Sequence, residues 1–327
     1  MANYFSFLTD FFNAEIRFHP VYLIPFLVIA FILYRLSSLE ENRVSFFAWL
    51  FPKEIYTHAS HWVDIKLFLL GRVIAFLKIF NLIFIQSAFA LVGMGVVAFV
   101  SGVEMSTQEI TIGRALLATF IITVVSDFCV YWVHRIHHES PVIWPFHSVH
   151  HSAEVLTPVT VYRKHPVYDL ISNFTKAVLA GFFQGIILML IMGQVQLSLV
   201  AGINAFYFVF NFVGSNFRHS HIWFRYGRVL EHIFISPAQH QIHHSLEPKH
   251  HNKNYGEVLA IWDWMFGTLY IPKEREILSF GISKSSSSNE RILQPHSTLK
   301  DSLIVPFKDS WKSIRKRVHK KTKGKKA

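Results

Sequence analysis

The chain has 327 residues, of which 51% are hydrophobic and only 16% are charged, whereas soluble domains average about 25% charged residues. This balance excludes an ordinary soluble domain and indicates a membrane protein. The formal net charge of +11 does not describe the whole chain, because nine of its lysines and arginines and no acidic residue fall within 311–327.

Five apolar stretches predict membrane spans, since about 20 apolar residues cross the hydrocarbon core as a helix. In chain order they are 21–36, 73–100, 115–133, 170–192 and 196–214. The first begins near Val21 without a basic segment before it or a small-residue cleavage site after it. We therefore expect no cleavable signal peptide.

Histidines recur with helical spacing in three clusters around and after the third predicted span. One cluster is a pair four residues apart and the other two read His-x-x-His-His, so that the members are His134, His138, His147, His150, His151, His240, His243 and His244. Positions i, i+3 and i+4 share one helix face, so each cluster aims its imidazoles at one point. Eight aligned imidazoles exceed the four ligands of a zinc ion and predict two metal ions side by side.

The ligand type restricts the metal. Imidazole suits iron, zinc and copper, and the single cysteine, Cys129, excludes a site built on several thiolates. The His-Glu-x-x-His pattern of a mononuclear zinc protease is absent from the sequence. Two irons, each with four or five imidazoles and an open position, fit best. Such a pair can reduce O2 and remove hydrogen from an unactivated C–H bond.

Three further residues are predicted at this site. Asp127 precedes His134 and His138 by two and three helical turns, so the three share a face, and a carboxylate within a membrane helix indicates function. We expect Asp127 to accept the outer N–H of a ligating imidazole or to hold an arginine. His165, just before the fourth predicted span, and His219, just after the fifth, are predicted to complete the ligand set.

Together these patterns predict an all-α integral membrane protein, with a transmembrane helical bundle and a cytosolic helical cap that holds a histidine-rich di-metal site. The segments 35–72, 134–168 and 215–327 are rich in Lys and Arg, whereas 101–114 carries Glu104 and Glu109 against Arg114. The positive-inside rule therefore places every histidine cluster in the cytoplasm, beneath a bacterial inner membrane or the endoplasmic reticulum.

We divide the chain into three parts. Residues 1–66 hold the N-terminal transmembrane helix and a cytosolic loop, 67–272 form the metal domain, and 273–327 form a polar linker and a polybasic tail. Three interpretations of the tail are open: attraction to anionic lipid heads, which we favour, a solvated tail, or nucleic-acid binding. Nothing else in the sequence supports the last, and we expect no nucleic-acid partner.

The histidine clusters and their flanks resemble the fatty acid hydroxylase superfamily, the sterol desaturase-like membrane di-iron oxygenases. The resemblance covers about 70–272 and extends beyond the histidines, to three further elements: Asp127 to Arg135, Thr160 to Pro166, and Asn254-Tyr255-Gly256 followed by Ile261 to Thr268. It implies that the eight clustered histidines bind two irons, with His219 and His165 less firmly matched. It also implies O2 as co-substrate, a lipid substrate and electrons from an NAD(P)H-dependent donor protein, which we expect in trans.

The leading hypothesis is an O2-dependent membrane di-iron oxygenase that hydroxylates or desaturates a lipid such as a sterol, a fatty acyl lipid or an ether lipid. The two outcomes share the first hydrogen abstraction, and the sequence does not separate them or choose the lipid. Two alternatives stay open. A membrane zinc hydrolase would depend on three or four histidines and would need no O2, and a non-catalytic lipid-binding scaffold would survive loss of His243.

Overall fold

The structure is a computed structural model that describes residues 17–37, 44–77, 79, 82–102, 111–193, 205–285 and 287–324. These residues form helices and loops and contain no strand, only isolated bridges that join Phe234 to Leu259, Ser245 to Phe280 and Ser283 to Arg291. The predicted fold class is confirmed: the chain is an all-α bundle of apolar helices with a helical cap that carries the histidine clusters.

Twelve α-helices lie within the described ranges. In chain order they are α1 (Pro20–Ser37), α2 (Phe46–Leu50), α3 (Lys53–Tyr56), α4 (Ala59–Phe76), α5 (Ile83–Ser101), α6 (Ile112–Glu139), α7 (Trp144–His151), α8 (Pro166–Met192), α9 (Ala205–Arg218), α10 (Pro237–His243), α11 (Ile261–Met265) and α12 (Leu299–Gly324). Short 3-10 turns cover Pro158–Tyr162, Leu230–His232 and Pro248–His250.

Four helices, α1, α5, α6 and α8, are long and apolar enough to cross a membrane. The predicted span at 73–100 is corrected, because α4 ends at Phe76 and a separate helix begins at Ile83. The fifth predicted span, 196–214, lies partly outside the described residues. Its described part belongs to α9, which has 14 residues.

Close packing of α5 on α8 forms the centre of the bundle. A Cβ on Gly93 would overlap the carbonyl oxygen of Phe182, and one on Gly185 would overlap that of Ala90. Only glycine lets the two backbones approach this closely. Helix α6 packs on the other side of α8, around Ala118 and Leu188, and it continues past the apolar segment to carry the first histidine pair.

Local sequence signals set the ends of the helices that carry histidines. Ser236 caps α10 by accepting a hydrogen bond from the backbone N–H of Gln239, whose side chain accepts one from the Ser236 N–H. Pro237 occupies the first turn, where it removes an N–H that has no helical partner. The Ser236-Pro237 pair therefore sets the start of α10, and α7 likewise has Pro145 in its first turn.

Candidate metal centre

Nine histidines converge in two adjoining groups that could each hold a metal ion. The five-histidine group consists of His134, His138, His147, His151 and His243, and the four-histidine group consists of His150, His219, His240 and His244. The ligand atoms in each group lie within 4.8 Å of one another. Within the described part of the chain, neither group includes a carboxylate or a thiol.

In the four-histidine group the ring nitrogens meet at His219. Its Nε2 lies 3.2 Å from the Nε2 atoms of His150 and His244 and 3.1 Å from that of His240. Two nitrogens bound to one ion at right angles, each at 2.0–2.1 Å, would be about 3.0 Å apart. The spacing of these nitrogens is therefore that of ligands around one ion.

The five-histidine group has the same spacing. His134 Nε2 lies 3.1 Å from His147 Nε2 and 3.2 Å from His138 Nε2. The ring of His243 is 4.7 Å from that of His134, centroid to centroid. The two groups contact each other where the ring of His151, of the five-histidine group, stacks on that of His244, of the four-histidine group, with 4.4 Å between centroids.

Backbone carbonyls fix the tautomer of two ligands. His134 Nδ1 donates to the carbonyl oxygen of Tyr255 at 2.7 Å, and His243 Nδ1 donates to that of Lys253 at 2.8 Å. Because Nδ1 carries the proton, Nε2 presents a lone pair toward the group. His243 Nε2 is buried and has no hydrogen-bond partner among the described residues, as expected of an atom reserved for a metal.

Electrostatics keep these imidazoles neutral. Burial, and then the neighbouring imidazoles, hold the pKa values of His147, His150, His151, His219, His240 and His243 well below the ordinary histidine value. Burial lowers the pKa of His244 to about 3. Neutral imidazole is the metal-binding form, so at neutral pH the nitrogens are ready for a cation. The donor set fits two ions of iron, zinc or copper.

Of the two isolated histidines that the sequence predicts at the site, only one lies there. His165 caps α8, where its Nδ1 accepts the N–H of Val167 at 3.0 Å and its Nε2 bonds the carbonyl oxygen of Leu303 at 3.1 Å. The structure therefore does not bring His165 to either group, because both of its ring nitrogens have other partners. His219, the other isolated histidine, lies at the centre of the four-histidine group.

Asp127 holds a loop instead of an imidazole or an arginine. Its Oδ1 accepts the N–H of Val258 at 2.9 Å, and its Oδ2 accepts the N–H of Leu259 and the indole N–H of Trp262, both at 3.0 Å. Asp263 binds the same loop from the other side, accepting the N–H groups of Tyr255 at 2.8 Å and Gly256 at 2.7 Å. This loop carries the Tyr255 carbonyl that accepts the Nδ1–H of His134. Both carboxylates therefore help to position His134 through the loop, without touching its ring.

A buried ion pair supports α7, and the sequence patterns did not point to it. Arg163 donates to Asp64 at 2.7 Å, and neither side chain has any exposed surface. The same guanidinium donates to the carbonyl oxygen of Val149 at 2.8 Å and to the Ser152 hydroxyl, so it fixes the helix that carries three ligands. Asp64 gave one signal, because it is the lone carboxylate of α4 and lies just before the apolar run from Leu67 to Leu70.

Comparison with known proteins places this site in a family. Residues 119–268 match the family model described as fatty acid hydroxylase, and this range includes all nine clustered histidines. Over this range the chain is similar to the fatty acid hydroxylase family. No solved structure matches the chain.

Several curated proteins are similar to the central part of the chain. The chain is 29% identical to alkylglycerol monooxygenase of Xenopus tropicalis over 152 residues. This alignment covers 46% of this chain and 30% of that protein. It is 31% identical to ornithine lipid hydroxylase OlsE of Rhizobium tropici over 164 residues, in an alignment that covers 49% of this chain and 44% of that protein. The human alkylglycerol monooxygenase is 28% identical over 51% of this chain and 33% of its own length. The chain thus spans less than half the length of these relatives.

Proposed function

We propose that this fatty acid hydroxylase-like chain is an O2-dependent membrane di-iron oxygenase that hydroxylates a lipid, with desaturation as the less favoured outcome. The observation that carries the proposal is the set of nine neutral imidazoles, seven buried and two half-buried, in two adjoining groups beside the end of a helix apolar enough to cross a membrane. When bound, two irons supply the chemistry for reduction of O2 and for removal of hydrogen from an unreactive C–H bond.

Five histidines would hold one iron and four the other. Tyr255 and Lys253 hold two of the ligands through their carbonyls, and Arg163 holds the backbone of α7, so the protein keeps the nitrogens in place before any metal arrives. A rigid set of this kind orients the reacting groups without reorganisation during turnover.

The stoichiometry of hydroxylation requires a reductant. One oxygen atom of O2 enters the new hydroxyl and the other becomes water, so each turnover consumes two electrons and two protons beyond the C–H bond. We propose an NAD(P)H-dependent electron-transfer protein or reductase as the source. The relatives named as alkylglycerol monooxygenase and ornithine lipid hydroxylase support a lipid as substrate.

The arrangement in the membrane is part of the proposal. We assign 1–66 to the N-terminal helix and its loop, 67–272 to the oxygenase domain and 273–327 to the linker and tail. The groups lie on the cytoplasmic side in this arrangement, because the Lys- and Arg-rich segments flank them and the acidic segment 101–114 lies on the other side.

Metal content tests the proposal directly. Protein purified in detergent from iron-57-enriched cells should contain about two irons per chain, and its Mössbauer spectrum should show an antiferromagnetically coupled pair when oxidised. Membranes that contain the enzyme should accumulate a hydroxylated lipid only in the presence of O2. One zinc and no iron, in protein from iron-replete cells, would overturn the di-iron mechanism and favour the hydrolase.

A further inference from the structure

A small charged cavity lies directly against both histidine groups. It has a volume of about 120 Å³, and His134 and His147 of one group and His150, His219 and His240 of the other line it. Its remaining wall carries four cationic and two anionic side chains: Arg17, Lys164, Lys176, Arg218, Asp169 and Glu257. A cavity that served only an apolar chain would not need this excess of positive charge.

Lys176 is the least expected of these side chains. It lies ten residues after Pro166 in α8, which places it about 15 Å along a helix that is apolar enough to span the membrane. An ionisable residue within a candidate membrane span is costly and indicates a functional role. Within the described residues its ammonium makes no hydrogen bond or ion pair, and the charged groups around it are Glu257, Lys164 and Asp169.

The neighbouring cations already have partners of their own. Lys164 lies 3.9 Å from a carboxylate oxygen of Asp169, and Arg17 donates to the carbonyl oxygen of Ser215 at 3.3 Å. The ammonium of Lys176 has Glu257 among its charged neighbours but makes no hydrogen bond within the described residues, so its N–H groups can bind a ligand in the cavity.

A second, larger cavity meets the first at this lysine. It has a volume of about 380 Å³ and lies between α5, α6 and α8, where Val130 and Lys176 belong to both cavities. Leu82, Ile83 and Ala180 contribute apolar wall. A molecule that filled both cavities would carry its chain between the membrane helices and its other end beside the histidines.

We propose that Lys176 binds an anionic group, a phosphate or a carboxylate, in the headgroup of the lipid substrate. The chain of that lipid lies in the larger cavity and its head in the smaller one. Because 120 Å³ is room for only about four water-sized groups, the C–H bond that is oxidised lies within a few bonds of the charged head and not far along the chain. This proposal rests on the proposed function for the identity of the site, but ligand binding can be measured without turnover.

The test compares two ligands that differ only in their heads, hexadecyl phosphate and hexadecanol, at equal mole fraction in neutral detergent micelles. The holoprotein should bind the phosphate more tightly, and Lys176→Met should weaken phosphate binding by about tenfold or more while it leaves hexadecanol binding unchanged. Lys176→Arg should retain the preference. Lys66→Met, a change at an exposed lysine outside both cavities, is the matched control.

A second measurement needs no substitution. Acetic anhydride should acetylate Lys176 in the wild-type protein, and hexadecyl phosphate, but not hexadecanol or inorganic phosphate, should protect it in the peptide mass spectrum. Protection by inorganic phosphate alone would identify a free-anion site instead of a lipid site. Equal binding of both ligands, or a phosphate preference that persists in Lys176→Met, overturns the proposal. Metal content, measured on the same samples, reports separately on the proposed function.

A different observation concerns α12, whose outer face is apolar. Five side chains spaced three or four residues apart are each 37–55% exposed: Ile304, Phe307, Trp311, Ile314 and Val318. Among them, Phe307 also packs edge-on against the rings of Phe146 and His165. The inner face buries Ser302, Pro306 and Ser310 against the protein. An amphipathic helix on a soluble surface would show the reverse arrangement.

The position and charge of α12 identify what covers this face. The carbonyl oxygen of Leu303 bonds His165, the cap of the candidate span α8, so α12 starts at the level where that span begins. Lys308, Lys312, Arg315 and Lys316 lie beside the apolar residues. We infer that α12 lies in the interface of an anionic bilayer, with its apolar residues among the acyl chains and its cations at the headgroups.

Spin labels on single cysteines in a Cys129→Ala background test this placement in nanodiscs. A label at 314 should be accessible to O2 and shielded from a water-soluble nickel complex, whereas a label at 312 should show the opposite. Replacing phosphatidylcholine in part by phosphatidylglycerol should increase the contrast. A label at 314 that is fully water-accessible in both lipids overturns the inference, and short distances between labels on two chains would assign the face to a second copy.

Discussion

The two histidine groups differ in how many ligands they can lose. His219 Nε2 is within 3.2 Å of three other ring nitrogens of its group, and without it only three imidazoles remain there. The five-histidine group keeps four imidazoles after the loss of His138. We therefore expect His219→Ala to reduce the metal content to about one ion per chain, whereas His138→Ala keeps both ions and binds one of them about 10–100-fold more weakly.

Elemental analysis during dialysis against a graded chelator measures both effects. His232→Ala is the matched control, because His232 lies outside both groups and bonds the carbonyl oxygen of Arg228. Equal loss of metal in the two ligand variants would contradict the division into groups of five and four.

The carboxylate of Asp263 should matter to metal binding although it touches no ligand. It accepts two backbone N–H groups and the Thr268 hydroxyl at 2.6 Å, and it thereby positions the Tyr255 carbonyl. In Asp263→Asn an amide N–H faces these donors, so we expect a loss of about 2 kcal/mol in unfolding free energy together with weaker metal binding. Thermal unfolding and metal titration of the same sample measure the two, and Asp169→Asn at a part-exposed position serves as control. Normal metal affinity in a destabilised variant would limit Asp263 to a packing role.

Sequence spacing predicted eight of the nine clustered ligands, but not their division. His150 and His151 are adjacent in the chain and enter different groups, as do His243 and His244. Side chains at adjacent positions on a helix point about 100° apart, so the two members of each pair face different groups. Only the packing of α7 against α10 decides which member enters which group. The sequence predicts His165 at the site, but the structure places it at the start of α8, because spacing alone does not show that a histidine before a proline caps a helix with its own ring.

At the scale of elements, the ion pair between Arg163 and Asp64 joins α4 to α7. Removal of one partner leaves the other charge buried, which costs about 3–5 kcal/mol. We expect Arg163→Met to lower the unfolding temperature and the metal content together, because the Val149 carbonyl at the end of α7 loses one of its two side-chain donors and keeps only the Ser152 hydroxyl. The double variant Asp64→Leu/Arg163→Met should recover part of the stability, because it leaves no unpaired charge. It should not recover metal content, because the Val149 carbonyl still lacks the Arg163 hydrogen bond.

The pH dependence of the single variant checks the cause. Burial raises the pKa of Asp64 even beside the guanidinium, and without Arg163 it rises further. A group with a raised pKa in the folded state contributes stability at low pH and loses it as the pH rises through that value. Arg163→Met should therefore be less destabilised at about pH 5 than at about pH 8. An equal loss at both values would mean that Asp64 stays charged in the variant.

The sequence located the main elements more reliably than their surroundings. Apolar length alone located α1, α6 and α8, because a membrane span needs only length and hydrophobicity. The basic residues of α12 were interpreted as a tail, since its apolar residues are sparse among many cations. Their period becomes evident only when the inner face, with Ser302 and Ser310, is seen to pack on the protein.

For the whole molecule, the two histidine groups connect parts of the chain that are distant in sequence. Their members come from α6, α7, the end of α9 and α10, so a metal ion that binds them would stabilise the folded state by its binding free energy. We expect chelation to lower the unfolding temperature and to loosen α10 most, because His240, His243 and the following His244 lie in the two histidine groups. Hydrogen exchange of the holoprotein and the chelated protein should show the largest change within 237–244. Uniform protection after chelation would mean that the cap is held without metal.

Acid should act on the chelated protein through the same histidines. Their pKa values are lowered in the folded state, with that of His244 at about 3, whereas an unfolded histidine titrates near about 6.5. Below that pH the histidines of the unfolded chain bind protons, whereas those of the folded chain stay neutral. The unfolding free energy must therefore fall as the pH drops from about 6.5 toward about 3. The holoprotein should resist acid until protons displace the metal, and then lose stability more steeply. Urea unfolding at a series of pH values, with and without chelator, measures the two curves. If the unfolding free energy falls with pH in parallel with and without chelator, and no more steeply in the wild-type protein than in His219→Ala, the imidazoles are not the groups that titrate.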